Sequence, residues 1–334
     1  MDRRPPPERA LTADPDRLYG PGSEAWRLNR EAALLLGAGP RALLLQIAHP
    51  LVAEGVDQHS DLRTDPWGRL SATLRSYLRI VYGSPSVARG EIARLNGLHR
   101  RVAGPVRDLD AGALGSAYAA RDPELTLWVH ATLVDSTLAT IAAWLGPLPM
   151  WRRARFYAET LVAGRLFGIP DRLLPPDIEA FDAYVEAMLA PLGPVHPTTT
   201  ARELAGLILR PPLAPLAERG GVSERLGAAA PAVAALLRRV PAGAVDWLFV
   251  PAIGLLPPAT RVAYGLPWGP RERLIDTWLV AAWRLWLPVL PARVRWFPQA
   301  TAALDRTGAR ETVARGGPES RSGLRRGQRG AYLG

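Results

Sequence analysis

The sequence contains no cysteine and no lysine. The first absence excludes disulfides, thiolate zinc sites, iron–sulfur clusters, a cysteine nucleophile and covalently attached c-type haem. It also leaves the redox compartment unreadable. The second means that all 41 basic residues are arginine, against 31 acids, for a net charge of +10. Such a charge can mark nucleic acid or an anionic membrane as partner. Here it accompanies 31 Gly, 33 Pro and abundant Ala, the mark of compositional bias, and much of it sits near the C-terminus. No RNA-binding motif occurs, and no basic patch alternates with stacking aromatics, so no nucleic-acid partner is expected.

Other signatures are missing too. There is no Walker A loop, no GxGxxG after a strand and no GxSxG elbow. No internal repeat is visible. The N-terminal stretch MDRRPPPERALTADPDRL has no apolar run after its arginines and does not read as a signal peptide. No window holds roughly 20 uninterrupted apolar residues. Prolines 251, 257 and 258 break the stretch that starts at Trp247, and WLVAAWRLWLPVL, from Trp278, is short and carries Arg284. Neither should span a bilayer, though both could touch a membrane or a greasy substrate peripherally. The expected location is therefore cytoplasmic.

Apolar residues make up 48% of the 334, enough to bury a sizeable core. Their spacing is helical nearly throughout, so the fold class expected is all-α. Asp65-Pro66, Ser84-Pro85 and Asp122-Pro123 each place a capping side chain before a proline at the first helical position. They predict helices to Tyr82, to Val102 and to Leu145. Further helices are expected from Gly22 to Gly37, from Pro40 with a break at Pro50, through MWRRARFYAETLVAGRLFGI, over Pro175–Leu189 and Thr198–Leu209, around Leu226–Val240, and as a pair over Pro270–Phe297. The organisation reads as a disordered N-terminal arm (1–19), one helical domain (20–300) and a disordered arginine-rich tail (301–334).

Only five histidines are present, and two lie in apolar helices. His99 shares a stripe with Ile92, Leu95 and Val102; His130 shares a face with Thr126, Leu133, Val134 and Thr137. Each suits either a buried histidine bonded to a neighbouring polar group or a histidine facing a metal or ligand. Arg69 and Thr73 lie one turn apart beside the stripe of Leu70, Leu74, Tyr77 and Val81. Arg69 is thus either a surface arginine or one that reaches a buried anion. His49, Glu54, Asp57 and His59 offer a carboxylate-plus-histidine set, but at no known metal spacing. LGAGPRA is glycine-rich yet lies between helices, which makes it a weak phosphate candidate.

In order, the blocks HPLVAEGVDQHS, DPWGRLSATLRSYLRIVYG, LNGLHRRVAGPV, YAARDPELTLWVHATLVDS and ARFYAETLVAGRLFGIP with LPP resemble the latex-clearing rubber oxygenases. That family also includes the fungal oxygenase that cleaves a farnesyl chain during mycophenolic acid biosynthesis. The resemblance runs roughly from Gly20 to Leu192. It implies a globin-like helical core that holds haem b, and cleavage of isoprenoid double bonds with O2 to give carbonyl ends. By the same resemblance His99 matches the iron ligand and Arg69 and Thr73 match residues of the helix lining the haem pocket. His130 matches a further pocket histidine, and Arg94 the arginine before the ligand histidine. Two departures stand out. Ala72 occupies the place of a lysine that can take the distal iron position, and Glu54 is only the nearest counterpart of a glutamate proposed as base. The function expected is a haem b-dependent oxygenase acting with O2 on a small unsaturated hydrophobic substrate, isoprenoid- or lipid-like. The alternative is a haem- or hydrophobic-ligand-binding protein without cleavage activity.

Overall fold

The computed structural model describes residues 18–108, 110–211, 230–240, 242–287 and 289–307. Its first nine helices are α1 (Glu24–Asn29), α2 (Ala38–Ala48), α3 (Pro50–His59), α4 (Pro66–Tyr82), α5 (Pro85–His99), α6 (Pro123–Leu145), α7 (Met150–Leu166), α8 (Ile178–Met188) and α9 (Thr199–Leu209). Helices at Ala230–Leu237, Val250–Gly254, Pro258–Tyr264, Pro270–Trp286, Ala292–Arg295 and Pro298–Thr307 follow. The molecule is one all-α domain.

The three proline-marked starts form as their chemistry dictates. Asp65 accepts from the Gly68 amide, Ser84 from the Val87 amide and Asp122 from the Glu124 amide, satisfying donors that a helix start leaves free. Pro50 breaks the α2–α3 segment with a bend of 104°. Gly146 ends α6 at φ +102°, a conformation that favours glycine.

Three expectations shift. The first helix stops at Asn29, because Glu31 pairs in a bridge with Trp296 and accepts from Arg295. Helix α5 ends at His99 rather than Val102, since the chain turns into a short antiparallel hairpin, β1 (Ala103–Pro105) with β2 (Ala117–Ala119). Leu18, at the edge of the expected arm, is buried, and Pro298–Thr307 is a helix whose Ala303 and Leu304 pack against α4. Residues 1–17 of the arm and 308–334 of the tail lie outside the described residues.

The core is organised around α6. It is the one helix among those described that is long and apolar enough by composition to cross a membrane, but 67% of its most apolar window is buried inside the fold. Helix α2 lies along it. A Cβ on Gly37 would stand 2.7 Å from Thr140 Cγ2, so this glycine serves helix packing and not a phosphate. Trp128 Nε1 of α6 donates to the Leu45 carbonyl at 3.0 Å, and the buried Arg41 of α2 pairs with Asp135 at 2.6 Å. Helices α4 and α5 form a hairpin on another side. Arg79 and Arg94 both pair with the buried Glu91, which also accepts from Ser76 at 2.7 Å.

Candidate functional site

The N-terminal two-thirds of α4 carries the predicted apolar stripe, yet none of Leu70, Thr73, Leu74 and Tyr77 is fully buried. The buried residues of this helix are Pro66, Leu78, Ile80, Val81 and Tyr82. Leu74 and Tyr77 are partly buried and pack on the cluster of Trp26, Leu78, Val81 and Tyr82. Tyr77 gives the direction: its hydroxyl donates to Asn29 Oδ1 at 2.6 Å and lies close to Thr137 of α6, whose own hydroxyl donates to the Leu133 carbonyl at 2.9 Å. Burial pushes the Tyr77 phenol up to about 12. Thr137 and His130 lie two turns apart on one face of α6, and Tyr77 and Thr73 lie one turn apart on one face of α4. The two faces therefore approach each other at Tyr77 and Thr137.

Arg69 begins this face. Its Nε donates to Ser60 Oγ at 2.9 Å and its Nη1 to Thr73 Oγ1, which in turn donates to the Arg69 carbonyl at 3.0 Å. Desolvation lowers the pKa of the guanidinium, with Asp61 acting in the opposite direction. Among the described residues no carboxylate forms an ion pair with it. Arg69 is exposed, and its guanidinium, held only by hydroxyls, keeps donors free for an anion.

His99 closes α5 and is half-buried. Its pKa is lowered first by desolvation and then by the charge of Arg69. Arg69 thus lies near enough for its charge to act on the His99 ring, and Thr73 holds Arg69. The His99 imidazole is neutral at pH 7, which is the form that binds a metal.

His130 is more deeply enclosed. Burial pushes its pKa down to about 4, and its Nε2 is buried without a hydrogen-bond partner. A Cβ on Gly164 of α7 would stand 3.6 Å from that atom and 3.3 Å from Leu174. The ring therefore packs against the α7 backbone in an apolar wall that includes Leu127, Ile169 and Leu174. No hydrogen bond among the described residues joins it to Arg69, Thr73 or His99.

The remaining candidates have structural roles. Glu54 is buried; it accepts from the Asp108 amide at 2.7 Å and from Gln58 Nε2, which ties α3 to the loop after β1. Asp57 pairs with Arg63, and the His59 ring meets Tyr118 edge-on. Among the described residues no group of three or more His, Asp or Glu side chains could hold a metal, so the His49–Glu54–Asp57–His59 set does not assemble. Arg94 faces outward and serves Glu91.

Two clefts, of about 210 and 290 Å³, lie elsewhere. One is lined by Tyr19, Trp26, Tyr82 and Arg306, the other by Arg27, Arg30, Arg152 and Arg295. Neither is lined by Arg69, Thr73, His99 or His130. Sequence reasoning missed Ser60, Tyr77 and Asn29 as partners of the site. Tyr77 was visible only as a stripe residue, and Ser60 and Asn29 gave no signal before the fold brought them across.

The set left is one neutral histidine, one unpaired guanidinium fixed by hydroxyls, and a second neutral histidine in an apolar wall. A lone histidine cannot bind a bare metal ion firmly. It can ligate iron already held in a macrocycle, and the arginine suits an acidic group on the same ligand. The residues present fit a carboxylate-bearing haem. No curated protein and no solved structure matches the chain. A family model, described as the catalytic domain of the ER-bound oxygenase mpaB/B' and rubber oxygenase, matches residues 26–291. That span extends well past the blocks that end near Leu192 and takes in every residue of the site together with the helices packed behind it, and so the chain belongs to the MpaB and rubber oxygenase family.

Proposed function

We propose that this protein is a haem b-dependent oxygenase acting with O2 on an unsaturated hydrophobic substrate, isoprenoid- or lipid-like, with oxidative C=C cleavage as its reaction. Membership of an oxygenase family supports the reaction class. The observation that supports haem most is the pairing of a neutral, desolvated His99 with an Arg69 that has no carboxylate partner among the described residues. When bound, haem b would supply the iron that binds and activates O2. Cleavage of one double bond with one O2 places one oxygen atom in each carbonyl product, so no external reductant is consumed.

The chain's own groups have separable tasks. His99 would hold the iron, its lowered pKa keeping a nitrogen lone pair available at neutral pH. Arg69 would receive a propionate, a charge that costs several kcal/mol to bury unpaired. Thr73 and Ser60 hold the guanidinium in position for that pairing. His130, neutral and walled by apolar side chains, would orient ligand or substrate as a positioning residue. The half-buried Leu70, Leu74 and Tyr77 offer apolar surface to a greasy chain and exclude water.

A second reading rests on specific departures. Ala72 cannot ligate iron, and Glu54 is held by a backbone amide and Gln58. A protein that binds haem or a hydrophobic ligand without cleaving it would keep the site and lack a base. One experiment separates the two readings. Haem-reconstituted protein is incubated with an unsaturated isoprenoid under ¹⁸O2 and the products are analysed by mass spectrometry. Labelled aldehydes or ketones support the oxygenase; an intact haem spectrum with unchanged substrate supports the binding protein.

A further inference from the structure

The Pro270–Trp286 helix contributes no fully buried residue. Its inner side is nonetheless fixed on the core. Trp283 stacks on Trp144 of α6 with ring centroids 5.5 Å apart and planes within 1°, and Arg284 Nε donates to the Ala143 carbonyl at 2.8 Å. Its outer side is apolar. Leu274, Trp278 and Leu285 are 59%, 69% and 68% exposed, and Ala281 completes a stripe at positions 274, 278, 281 and 285. Trp286 is 60% exposed next to it, and Val289 and Val294 continue the apolar surface beyond the helix. Single exposed apolar residues are ordinary, but a row of large ones on a rigid helix marks an interaction face.

The charge around the stripe selects the partner. Arg271, beside the stripe on the helical wheel, is exposed, as are Arg273 and Arg293. The only acids of the helix, Glu272 and Asp276, lie on the opposite side; Glu272 caps the Gly269 amide at 2.7 Å, and Asp276 is half-buried. The outer face is thus apolar, and the exposed charged residues of the segment from Pro270 to Arg295 are all arginine. A second copy of the same face would set arginine against arginine. An anionic bilayer surface meets both features, since tryptophan settles at the headgroup boundary and arginine at the phosphates.

We propose that the outer face of the Pro270–Trp286 helix docks this protein on an anionic lipid bilayer, with Leu274, Trp278 and Leu285 in the acyl boundary and Arg271, Arg273 and Arg293 at the headgroups. The docking is peripheral and does not depend on the oxygenase reading.

The test is co-sedimentation of the full chain with unilamellar vesicles of phosphatidylcholine alone or mixed with phosphatidylglycerol. Wild type is expected to bind the anionic vesicles at least about ten-fold more tightly than the zwitterionic ones. The double variant Trp278→Ser/Leu285→Ser should lower partitioning by on the order of 100-fold. The triple variant Arg271→Glu/Arg273→Glu/Arg293→Glu should abolish the anionic preference. Circular dichroism and elution volume verify the fold of each variant; if the serine variant misfolds, the arginine variant decides. Wild type that stays in the supernatant with both vesicle types overturns the proposal, as do variants that sediment like wild type. Variants that turn a dimer into a monomer, with no vesicle binding by wild type, overturn it in favour of a second copy.

Discussion

The guanidinium of Arg69 donates to the hydroxyl of Thr73, one turn further along α4. That bond and the one to Ser60 keep a charged group in place at the start of a half-buried helix face without neutralising it. Arg69→Met removes an exposed charge and leaves no carboxylate orphaned among the described residues. Fold stability should therefore change by less than about 1 kcal/mol. Haem affinity should fall about ten- to one-hundred-fold, and Thr73→Ala should cost less. Denaturant unfolding and haem titration measure the two effects; a large loss of stability in Arg69→Met would show that the arginine is structural.

The same variant reports on His99. Arg69 adds to the desolvation that lowers the His99 pKa, so its removal should raise the titration midpoint of the His99 ring toward its ordinary value of 6.5. NMR of the imidazole protons in haem-free protein follows this directly. An unchanged midpoint would separate the two residues.

His130 controls acid stability. Its ring stays neutral in the folded state down to about pH 4, while the unfolded chain takes up the proton near 6.5. The unfolded state thus binds more protons across that window. Stability is full above pH 6.5, falls as pH drops from 6.5 to 4 and levels off below. His49, also pushed down to about 4 by burial, acts in the same sense. His130→Leu should remove up to about 1.4 kcal/mol per pH unit of that slope. It should also relieve the unpartnered Nε2, leaving stability at pH 7 equal or about 1 kcal/mol higher. Urea midpoints at pH 7 and pH 5 decide; equal acid sensitivity in the variant would contradict the burial.

Glu54 is a brace. Glu54→Gln keeps the shape but gives up the charged acceptor for the Asp108 amide. Stability should fall by about 1–3 kcal/mol with turnover of the folded fraction unchanged. A thousand-fold loss of turnover in stable protein would return Glu54 to the role of base.

Glu91 holds the α4–α5 hairpin. Arg94 foremost, with Ser76 and Arg79, keeps its carboxyl down at about 2, against desolvation. This contribution is present above the ordinary carboxylate pKa of 4.5 and is lost as pH falls from there to about 2. Both arginines are exposed, so Glu91→Gln should cost only about 1 kcal/mol. The variant should also loosen the spacing of Arg69 to His99 and weaken haem binding, which titration at pH 7 would reveal.

Much of this was legible in residues. Asp65-Pro66, Ser84-Pro85 and Asp122-Pro123 cap their helices as their chemistry requires, and Pro50 bends the chain, because these effects are local. The Arg69–Thr73 bond follows from helical spacing alone. The proximity of Arg69 to His99 does not, since it depends on how α4 and α5 fold back on each other. The β1–β2 hairpin was invisible because three-residue strands carry no alternation. The early stop of α1 was hidden because its cause, Trp296, lies 265 residues beyond Glu31. LGAGPRA, only a weak phosphate candidate by sequence, uses Gly37 for close helix contact, which looks the same in sequence.

The proposed function stands or falls on His99 as the ligand of haem iron. The direct measurement is a haem titration of the full chain, followed by Soret absorbance, for wild type, His99→Ala, His130→Leu and His49→Ala. The account predicts a saturable Soret band at one haem per chain in wild type, retained in His130→Leu and His49→Ala, and lost or shifted in His99→Ala alone. A wild-type spectrum in His99→Ala, or no band above free haem in wild type, would contradict it.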